Sequence, residues 1–169
     1  MGKARNKIKL AQKDIDADWT KKNGERHFGY KDHVKCDADS KLITNYSVTS
    51  ASVHDSQRCL VFIGQEDEVL YADSAYSGKP IALALPENCK NQICEKGYRN
   101  SPMTSEQKMN NRRKSRIRCR IEHIFGFMTW AMHGITIRSI GITRAWMNIG
   151  ITNLVYNFCR YSYLKRASA

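Results

Sequence analysis

The sequence predicts a mixed α/β fold, and three patterns support this class. The segments HFGYKDHVKC and KLITNYSVTS each carry apolar residues at even spacing, which is typical of strands with one buried face. Apolar residues recur at helical spacing in the last third of the chain. With 169 residues, of which 41% are hydrophobic, the chain is long enough to form one domain with a sizeable core.

The first half of the chain predicts the order strand, strand, helix, strand. Residues 1–26 are polar and basic without strand alternation or a helical repeat, and we interpret them as an extended lead-in that turns at Asn23 and Gly24. The polar DADS between the two alternating segments predicts a hairpin. Asp55 is a candidate N-cap for a short helix in SQRCLVFIGQ, after which residues 68–73 return to a strand.

The second half of the chain is predicted to be mainly helical. Residues 81–85 predict a short helix and residues 91–94 a short strand, within a segment that is otherwise loop. A long helix is predicted from Lys108, with one side formed by Ile117, Ile121, Ile124, Phe125 and Met128. A last helix is predicted to pack through Met147, Ile151, Leu154, Val155 and Phe158.

The charge of the chain indicates a polyanionic partner. There are 28 Lys and Arg residues against 16 Asp and Glu residues, a formal net charge of +12. Nucleic acid is the first candidate partner, although ribosomal, histone-like and membrane-surface proteins share this balance. Charge alone therefore defines a broad class of protein and no activity.

The cysteines and the apolar runs indicate a compartment. The six cysteines contain no C-x-x-C pair and no zinc-finger spacing, so we expect free buried thiols. The N-terminus MGKARNKIKL has no apolar segment typical of a signal, and no run approaches the roughly 18 apolar residues of a membrane span. These patterns predict a reducing cytoplasm and no membrane.

Asp73 is the first candidate functional residue. It stands in LYADSAYSG, directly after an apolar run that we interpret as a buried strand. Burying an unpaired carboxylate costs several kcal/mol unless hydrogen bonds or a cation offset it. The position therefore predicts a binding partner for Asp73.

A second candidate region lies in MNNRRKSRIRCRIEHIFGFMTW. Helical spacing places Arg118 and Glu122 on one face, and by itself this pair is an exposed ion pair worth about 0.3 to 0.5 kcal/mol. Together with Asp73, Glu122 suits phosphodiester chemistry, in which carboxylates hold Mg²⁺ and basic groups hold the phosphate backbone. The residues predicted to bind nucleic acid are Lys108, Arg112, Arg113, Lys114, Arg116 and Arg120.

Four blocks of the sequence also resemble a known family. WTKKNGERHFGYKDHV, TSASVHD, LYADSAYSG and RIRCRIEHIFG resemble, in this order, the DDE transposases of bacterial insertion sequences, specifically the group named for insertion sequence five. The resemblance implies an RNase H-like mixed sheet flanked by helices, in which three acidic residues bind two divalent metal ions, Mg²⁺ or Mn²⁺. It implies that Asp73 is the second catalytic aspartate, that Glu122 is the catalytic glutamate, and that Arg118 supports them.

The chain departs from the family pattern at the first catalytic aspartate. In the family this residue ends an apolar strand upstream of the DxDAxWTKK block, and no such strand precedes Asp14 here. Asp14, Asp16 and Asp18 lack the apolar run and follow the expected position. We therefore expect the first aspartate and the first central strand to be absent, which would leave two inner sheet edges unpaired and open to another chain.

The resemblance implies a domain organisation and a function. Residues 1–26 would be a polar lead-in, and residues 27–169 a partial RNase H-like catalytic domain with C-terminal helices. The function would be that of a truncated transposase that cleaves and joins double-stranded DNA at element ends and targets, close to the bacterial nucleoid. Its protein partner would be a second copy or an N-terminal transposase fragment.

Three rival hypotheses stay open. The chain would otherwise be a non-catalytic DNA-binding fragment that acts as an inhibitor, a remnant that cannot fold, or a small basic protein associated with RNA or ribosomes. The two carboxylates in specific motifs, and the lack of a known RNA-binding signature, argue against the last.

Overall fold

Three antiparallel strands form the larger sheet in this computed structural model, which describes residues 12–22 and 24–168. They are β1 (Asp18–Lys22), β2 (Glu25–Cys36) and β3 (Ile43–Ser50), in the order β1-β2-β3. The first half of β2 pairs with β1 and its second half pairs with β3, with Tyr30 opposite Ser50 and Val34 opposite Tyr46. The predicted hairpin of β2 and β3 is confirmed.

The prediction that residues 1–26 contain no strand is wrong for β1. This strand shows no alternation in sequence because almost all of its residues are exposed on both faces. It is held instead by its pairing with β2 and by the rings of Trp19 and Phe28, whose centroids lie 5.2 Å apart. The predicted turn residue Asn23 lies outside the described residues, whereas Gly24 adopts a φ of 89°, which favours glycine.

A second, smaller sheet consists of β4 (Val69–Leu70) and β5 (Lys90–Asn91), which pair in parallel. It is flanked by α1 (Ser56–Phe62), a short 3-10 helix (Ser74–Tyr76) and α2 (Lys79–Ala84). The two strands are shorter than predicted. The small core of this part consists of Cys59, Ala72, Ile81 and Ile93.

The two sheets are bridged by side chains rather than by strand pairing in the described part of the chain. Lys35 of β2 places its Nζ 2.5 Å from Asp67 Oδ1 and donates to the Phe62 carbonyl at 2.9 Å. Among residues 12–22 and 24–168, the edge of β2 away from β3 is paired only in its first half, and β4 pairs only with β5. In the part of the chain that the structure describes, the second half of this edge of β2 and one edge of β4 are therefore unpaired.

Three helices complete the fold: α3 (Ser105–Arg118), α4 (Arg120–Ala131) and α5 (Ile142–Ala167). Helix α3 begins three residues before the predicted Lys108, because Thr104 and Gln107 form a reciprocal capping box. The predicted single helix divides at Cys119, where α3 ends and α4 begins. Ile124 and Met128 of α4 are the most completely buried large side chains, and they pack with Ile43 and Tyr156.

The predicted packing face of the last helix is wrong. Helix α5 packs on the sheet through Ala145, Ile149, Asn153 and Tyr156. The residues predicted for this role are all exposed: Met147, Ile151, Leu154, Val155 and Phe158. Apolar residues recur at helical spacing on two sides of α5, so periodicity alone does not say which side packs on the sheet.

Two further predictions concern the burial of the cysteines and the presence of a membrane span. All six cysteines are free thiols, but only Cys59 and Cys94 are buried, and Cys159 is exposed. Among the described residues, no helix has both the length and the apolar character needed to cross a membrane.

Candidate active site and nucleic-acid interface

Asp73 lies at the start of the 3-10 helix that follows β4. Its Oδ1 accepts a hydrogen bond from the Ser74 amide at 2.6 Å, as an N-cap does. The side chain is exposed, so the prediction of a buried carboxylate is wrong. The last buried residue of this segment is Ala72, one position earlier. Asp73 is therefore accessible to a ligand from solvent.

Tyr76 lies near two carboxylates, those of Asp73 and Asp55. Burial raises the pKa of Tyr76 to about 12, and the negative charges of Asp55 and Asp73 act in the same direction. Helix α1, which begins just after Asp55, contacts the 3-10 helix that begins after Asp73. The carboxylates of Asp55 and Asp73 are therefore both close enough to Tyr76 to act on its hydroxyl.

Asp55 occupies the N-cap position of α1, but the predicted side-chain cap does not form. Its Oδ1 lies 3.4 Å from His33 Nδ1 and 3.5 Å from Lys31 Nζ, both on β2. The other ring nitrogen of His33 lies 2.8 Å from Thr49 Oγ1. Burial lowers the pKa of His33, although Asp55 acts in the opposite direction. Sequence analysis missed this network, whose signal is the alternation of polar residues along β2.

Glu122 stands in the first turn of α4, where the helix dipole favours a carboxylate. Its Oε1 lies 3.0 Å from Arg118 Nη2, which confirms the predicted ion pair. The Glu122 side chain is 61% exposed. At such exposure the pair contributes about 0.3 to 0.5 kcal/mol to stability.

A series of contacts connects the strand end next to Asp73 with α3. The Cys94 amide donates to the Ala72 carbonyl at 3.0 Å, and Cys94 Sγ lies 3.8 Å from Ser115 Oγ. Lys114 reinforces this contact, because its Nζ donates to the Ile93 carbonyl at 3.0 Å. Ser115 is one helical turn before Arg118. The last turn of α3 is therefore anchored to the segment that precedes Asp73.

The aspartates near the start of the chain contact the N-terminus of α5. Asp14 accepts from the Tyr30 hydroxyl at 2.7 Å and from the Gly141 amide at 3.2 Å, and Asp16 accepts from the Ile142 amide at 2.9 Å. Burial acts to raise the pKa of Asp14, but these hydrogen bonds leave it below its ordinary value. A helix N-terminus is a favourable position for carboxylates. Their partners give these residues a structural role.

The carboxylates do not form a complete metal site by themselves. In the described ranges, no group of three or more His, Cys, Asp and Glu side chains is arranged to hold a metal ion. Asp73 and Glu122 are accessible oxygen donors of the type that Mg²⁺ prefers. The donor set of the described residues therefore does not fit a divalent metal ion without another carboxylate.

The outward face of α3 is strongly basic. Arg112, Arg113 and Arg116 line, with Met109, a shallow depression of about 280 Å³, and Lys108 is exposed one turn before it. Two other predicted residues make internal contacts. Lys114 donates to the Ile93 carbonyl and lies 4.0 Å from Glu95, while Arg120 contacts the Ala38 carbonyl and Asp39. The exposed members of the predicted set are therefore Lys108, Arg112, Arg113 and Arg116.

Comparison with known proteins identifies the family. The model of the family described as "Transposase DDE domain" matches residues 6–158, which is more than half of the chain. The chain belongs to the DDE transposase domain family. A transposase for insertion sequence element IS1106 from Neisseria meningitidis serogroup B is 32% identical over 117 residues. No solved structure gives a significant match.

The alignment covers a larger share of this chain than of the relative. The alignment with the Neisseria transposase covers 68% of this chain and 40% of the relative. The chain therefore spans less than half of the length of the curated relative that it matches. The predicted resemblance to bacterial insertion-sequence DDE transposases is confirmed by both matches.

Proposed function

We propose that the chain is part of an insertion-sequence transposase and binds double-stranded DNA through the basic face of α3. The observation that carries this proposal is the outward cluster of Arg112, Arg113 and Arg116 in a chain of net charge +12 from a transposase family. Guanidinium groups pair well with phosphates, and they displace the counterions of the duplex. The DNA would be that of element ends and targets, and the group named for insertion sequence five stays a prediction from the motifs.

The proposed fold is the RNase H-like mixed sheet flanked by helices. Residues 27–169 would be a partial catalytic domain and residues 1–26 its lead-in. The order of three antiparallel strands followed by the parallel pair of β4 and β5 supports this fold, as does the position of Asp73 after β4. A strand inserted between β2 and β4 would join the two sheets, which is how we account for the missing first central strand.

We assign Asp73 and Glu122 as two of the three carboxylates of the catalytic site in the complete enzyme. Both are exposed, and Arg118 restricts Glu122 from 3.0 Å. The complete site would hold two divalent ions, Mg²⁺ or Mn²⁺. Because the described residues do not supply a third carboxylate beside these two, we assign no cleavage step to this chain alone.

The lack of a third carboxylate beside Asp73 and Glu122 among the described residues favours a second candidate function. A chain that binds DNA without a complete carboxylate set would occupy element ends without cleaving them, and would inhibit an intact transposase. Such a fragment would act in the bacterial cytoplasm, at the nucleoid. An N-terminal transposase fragment that supplies the missing strand and aspartate would convert it into an active enzyme.

DNA binding is tested by fluorescence anisotropy with a labelled duplex over a range of salt concentrations. We expect the triple variant Arg112→Ala, Arg113→Ala, Arg116→Ala to reduce the salt dependence by about two to three phosphate contacts. The control removes two charges from the end of α5 with Lys165→Ala and Arg166→Ala, which should have a smaller effect for each charge removed. An equal loss for each charge removed in the two variants would mean that binding reflects net charge and does not use the face of α3.

Catalysis is tested by the nicking of an element-end duplex with Mg²⁺ or Mn²⁺. The proposal predicts that the purified chain binds DNA but does not nick it. It also predicts that Asp73→Asn changes the affinity for DNA by no more than the removal of one negative charge does. Nicking by the wild type that is lost in Glu122→Gln would show that a working site assembles here, and would refute the assignment of an incomplete site.

A further inference from the structure

The polar contacts of α3 lie on one side of the helix. Gln107 donates to Glu95 Oε2 at 2.7 Å, and Asn111 donates to the Glu95 carbonyl at 2.9 Å. Lys114, one turn later, donates to the Ile93 carbonyl at 3.0 Å. Within this fully described helix no residue is buried, so α3 rests on the surface of the protein and its other side projects into solvent.

The projecting side of α3 carries the basic face. Arg112, Arg113 and Arg116 line the shallow depression with Met109, and all four side chains are exposed. The three arginines stand three, four and seven positions after Met109, which is the spacing of one helical face. At about 100° per residue, the middle of this face points almost directly away from the attached side.

The guanidinium groups of the basic face are available to a ligand. Among the described residues, the ion pairs of this region engage Lys114, Arg118 and Arg120 rather than the three arginines that line the depression. The acidic residue of α3, Glu106, lies in the first turn, before the basic face begins. Phosphates and base acceptors can therefore reach these guanidinium groups without breaking an internal ion pair.

Met109 is the member of this face that phosphate binding does not explain. Its side chain is 51% exposed and lines the same depression as the arginines. A thioether side chain is apolar and offers no charge to a phosphate. In the major groove of DNA, however, apolar side chains contact the C5-methyl group of thymine. The composition of this face therefore suits the edges of base pairs as well as the phosphate backbone.

The four side chains form two pairs that differ in direction. Met109 and Arg116 are seven residues apart, so their directions around the helix axis differ by only about 20°. We call them the central pair. Arg112 and Arg113 point about 100° apart, one on each side of the central pair, and we call them the flanking pair.

The dimensions of α3 fit the major groove of B-DNA. A helix with its side chains is about 10–12 Å across, and the groove is about 12 Å wide. In the groove, the central pair faces the base edges and the flanking pair faces the phosphates of the two walls. Seven residues rise by about 10.5 Å along the helix axis, which is roughly three base-pair steps.

We propose that α3 lies in the major groove and reads the base sequence, with Arg116 on a guanine and Met109 on the methyl group of a thymine roughly three base pairs away. A guanidinium donates to guanine N7 and O6 together, and the flanking arginines bind phosphates. The inference rests on the proposed binding of double-stranded DNA by α3, to which it adds selectivity for sequence. Duplex RNA is excluded, because its major groove is too narrow for side chains to read.

The first test is selection from a pool of DNA duplexes with a randomised segment of about ten base pairs, using the full chain. We expect the selected duplexes to share a guanine and a thymine about three base pairs apart. In fluorescence anisotropy, the selected duplex should bind at least about fivefold more tightly than a duplex with a scrambled sequence.

The second test compares two variants that lose the same charge. Glutamine pairs with adenine in the major groove, so Arg116→Gln should lower the preference for guanine over adenine at the read position at least about fivefold. Arg112→Gln is the matched control. It should weaken binding to every duplex alike and reduce the salt dependence by about one phosphate contact. Circular dichroism establishes that both variants are folded.

The third test changes single groups of the DNA. Replacing the read guanine by 7-deazaguanine removes the N7 acceptor, which should weaken binding of the wild type about fivefold and have a smaller effect on Arg116→Gln. Replacing the read thymine by uracil removes the methyl group, which should weaken binding of the wild type up to about fourfold and have no effect on Met109→Gln.

Different outcomes would overturn the inference and the proposed function. A folded wild type that binds no duplex would refute DNA binding by α3, and the reading of bases with it. Salt-sensitive binding without an enriched sequence would refute the reading of bases and leave DNA binding intact. An enriched sequence whose preference Arg116→Gln and Arg112→Gln change equally would refute the assignment of Arg116 to the base edge.

Discussion

Asp32 and Asn153 form a buried contact that we expect to reduce the stability of the protein. Asn153 Nδ2 donates to Asp32 Oδ1 at 3.3 Å, but Asp32 Oδ2 and Asn153 Oδ1 have no hydrogen-bond partner among the described residues. Burial raises the pKa of Asp32 to about 6, although the hydrogen bond from Asn153 acts in the opposite direction. At neutral pH the folded protein therefore contains a poorly solvated carboxylate between β2 and α5.

The substitution Asp32→Asn should stabilise the protein. It removes the charge and provides an N–H group that can donate to Asn153 Oδ1. The pKa of Asp32 changes from 3.8 in the unfolded chain to about 6 in the folded protein, about two units. At about 1.4 kcal/mol per unit, the ionised carboxylate costs up to about 3 kcal/mol at pH 7. Because the surroundings relax, we expect a gain of about 1 to 3 kcal/mol.

The gain should depend on pH with a defined sign. Between pH 3.8 and about 6 the folded protein retains a proton on Asp32 that the unfolded chain has lost. The contribution of Asp32 to the free energy of unfolding therefore falls as pH rises through this window, and it is constant above the window. The variant lacks this decrease, so its advantage over the wild type should grow from pH 4 to pH 6 and then level off.

The measurement is urea unfolding of wild type and variant at pH 4, 5, 6 and 7, followed by circular dichroism. Glu25→Gln is the control, because it makes the same carboxylate-to-amide change on β2 where the side chain is 82% exposed. This control should change stability by less than about 0.5 kcal/mol at every pH. An Asp32→Asn variant that is less stable than the wild type, or equally stabilised at pH 4 and pH 7, would refute the reasoning.

Three further predictions follow from single contacts, and thermal unfolding measures each. Gly126→Ala in α4 should stabilise by about 0.5 to 1 kcal/mol, because no atom lies within 4 Å of the added carbon, whereas Gly150→Ala should lose this gain because the carbon would meet the Tyr46 side chain. An equal gain at both glycines would contradict the close contact. Ile124→Ala should cost about 2 to 5 kcal/mol, since Ile124 is completely buried, and a loss below 1 kcal/mol would contradict that packing. Asp16→Ala should cost about 0.5 to 2 kcal/mol by removing the acceptor for the first amide of α5, and no loss would mean that this contact contributes nothing in solution.

The parts of the fold that could be predicted from sequence are those in which apolar residues follow one face of an element. Tyr30, Val34, Tyr46 and Val48 alternate along β2 and β3, so the hairpin could be predicted. Strand β1 could not, because its residues are exposed on both sides. The packing face of α5 was assigned incorrectly because apolar residues follow two faces of this helix, and only the contact with β3 decides between them.

The candidate site was predictable in its local parts. The spacing of Arg118 and Glu122 predicted an ion pair that the structure contains, because the break between α3 and α4 at Cys119 still leaves the two side chains 3.0 Å apart. The contact of Asp55 with His33 was missed because 22 residues separate them and a strand pairing brings them together. The exposure of Asp73 was also missed, because one position decides whether a residue at a strand end is covered.

The sequence alone determined the family and the basic character of the chain, and it predicted Asp73 and Glu122 as catalytic carboxylates, because each of these depends on residues that are close together along the chain. Only the tertiary structure decided which basic residues of α3 remain exposed, and where Asp14 and Asp16 find their partners. It also decided which apolar side of α5 packs on the sheet. These properties depend on contacts between distant segments. The physical reason is that burial and charge pairing are set by the neighbours that folding brings together, and periodicity along one helix or strand does not specify them.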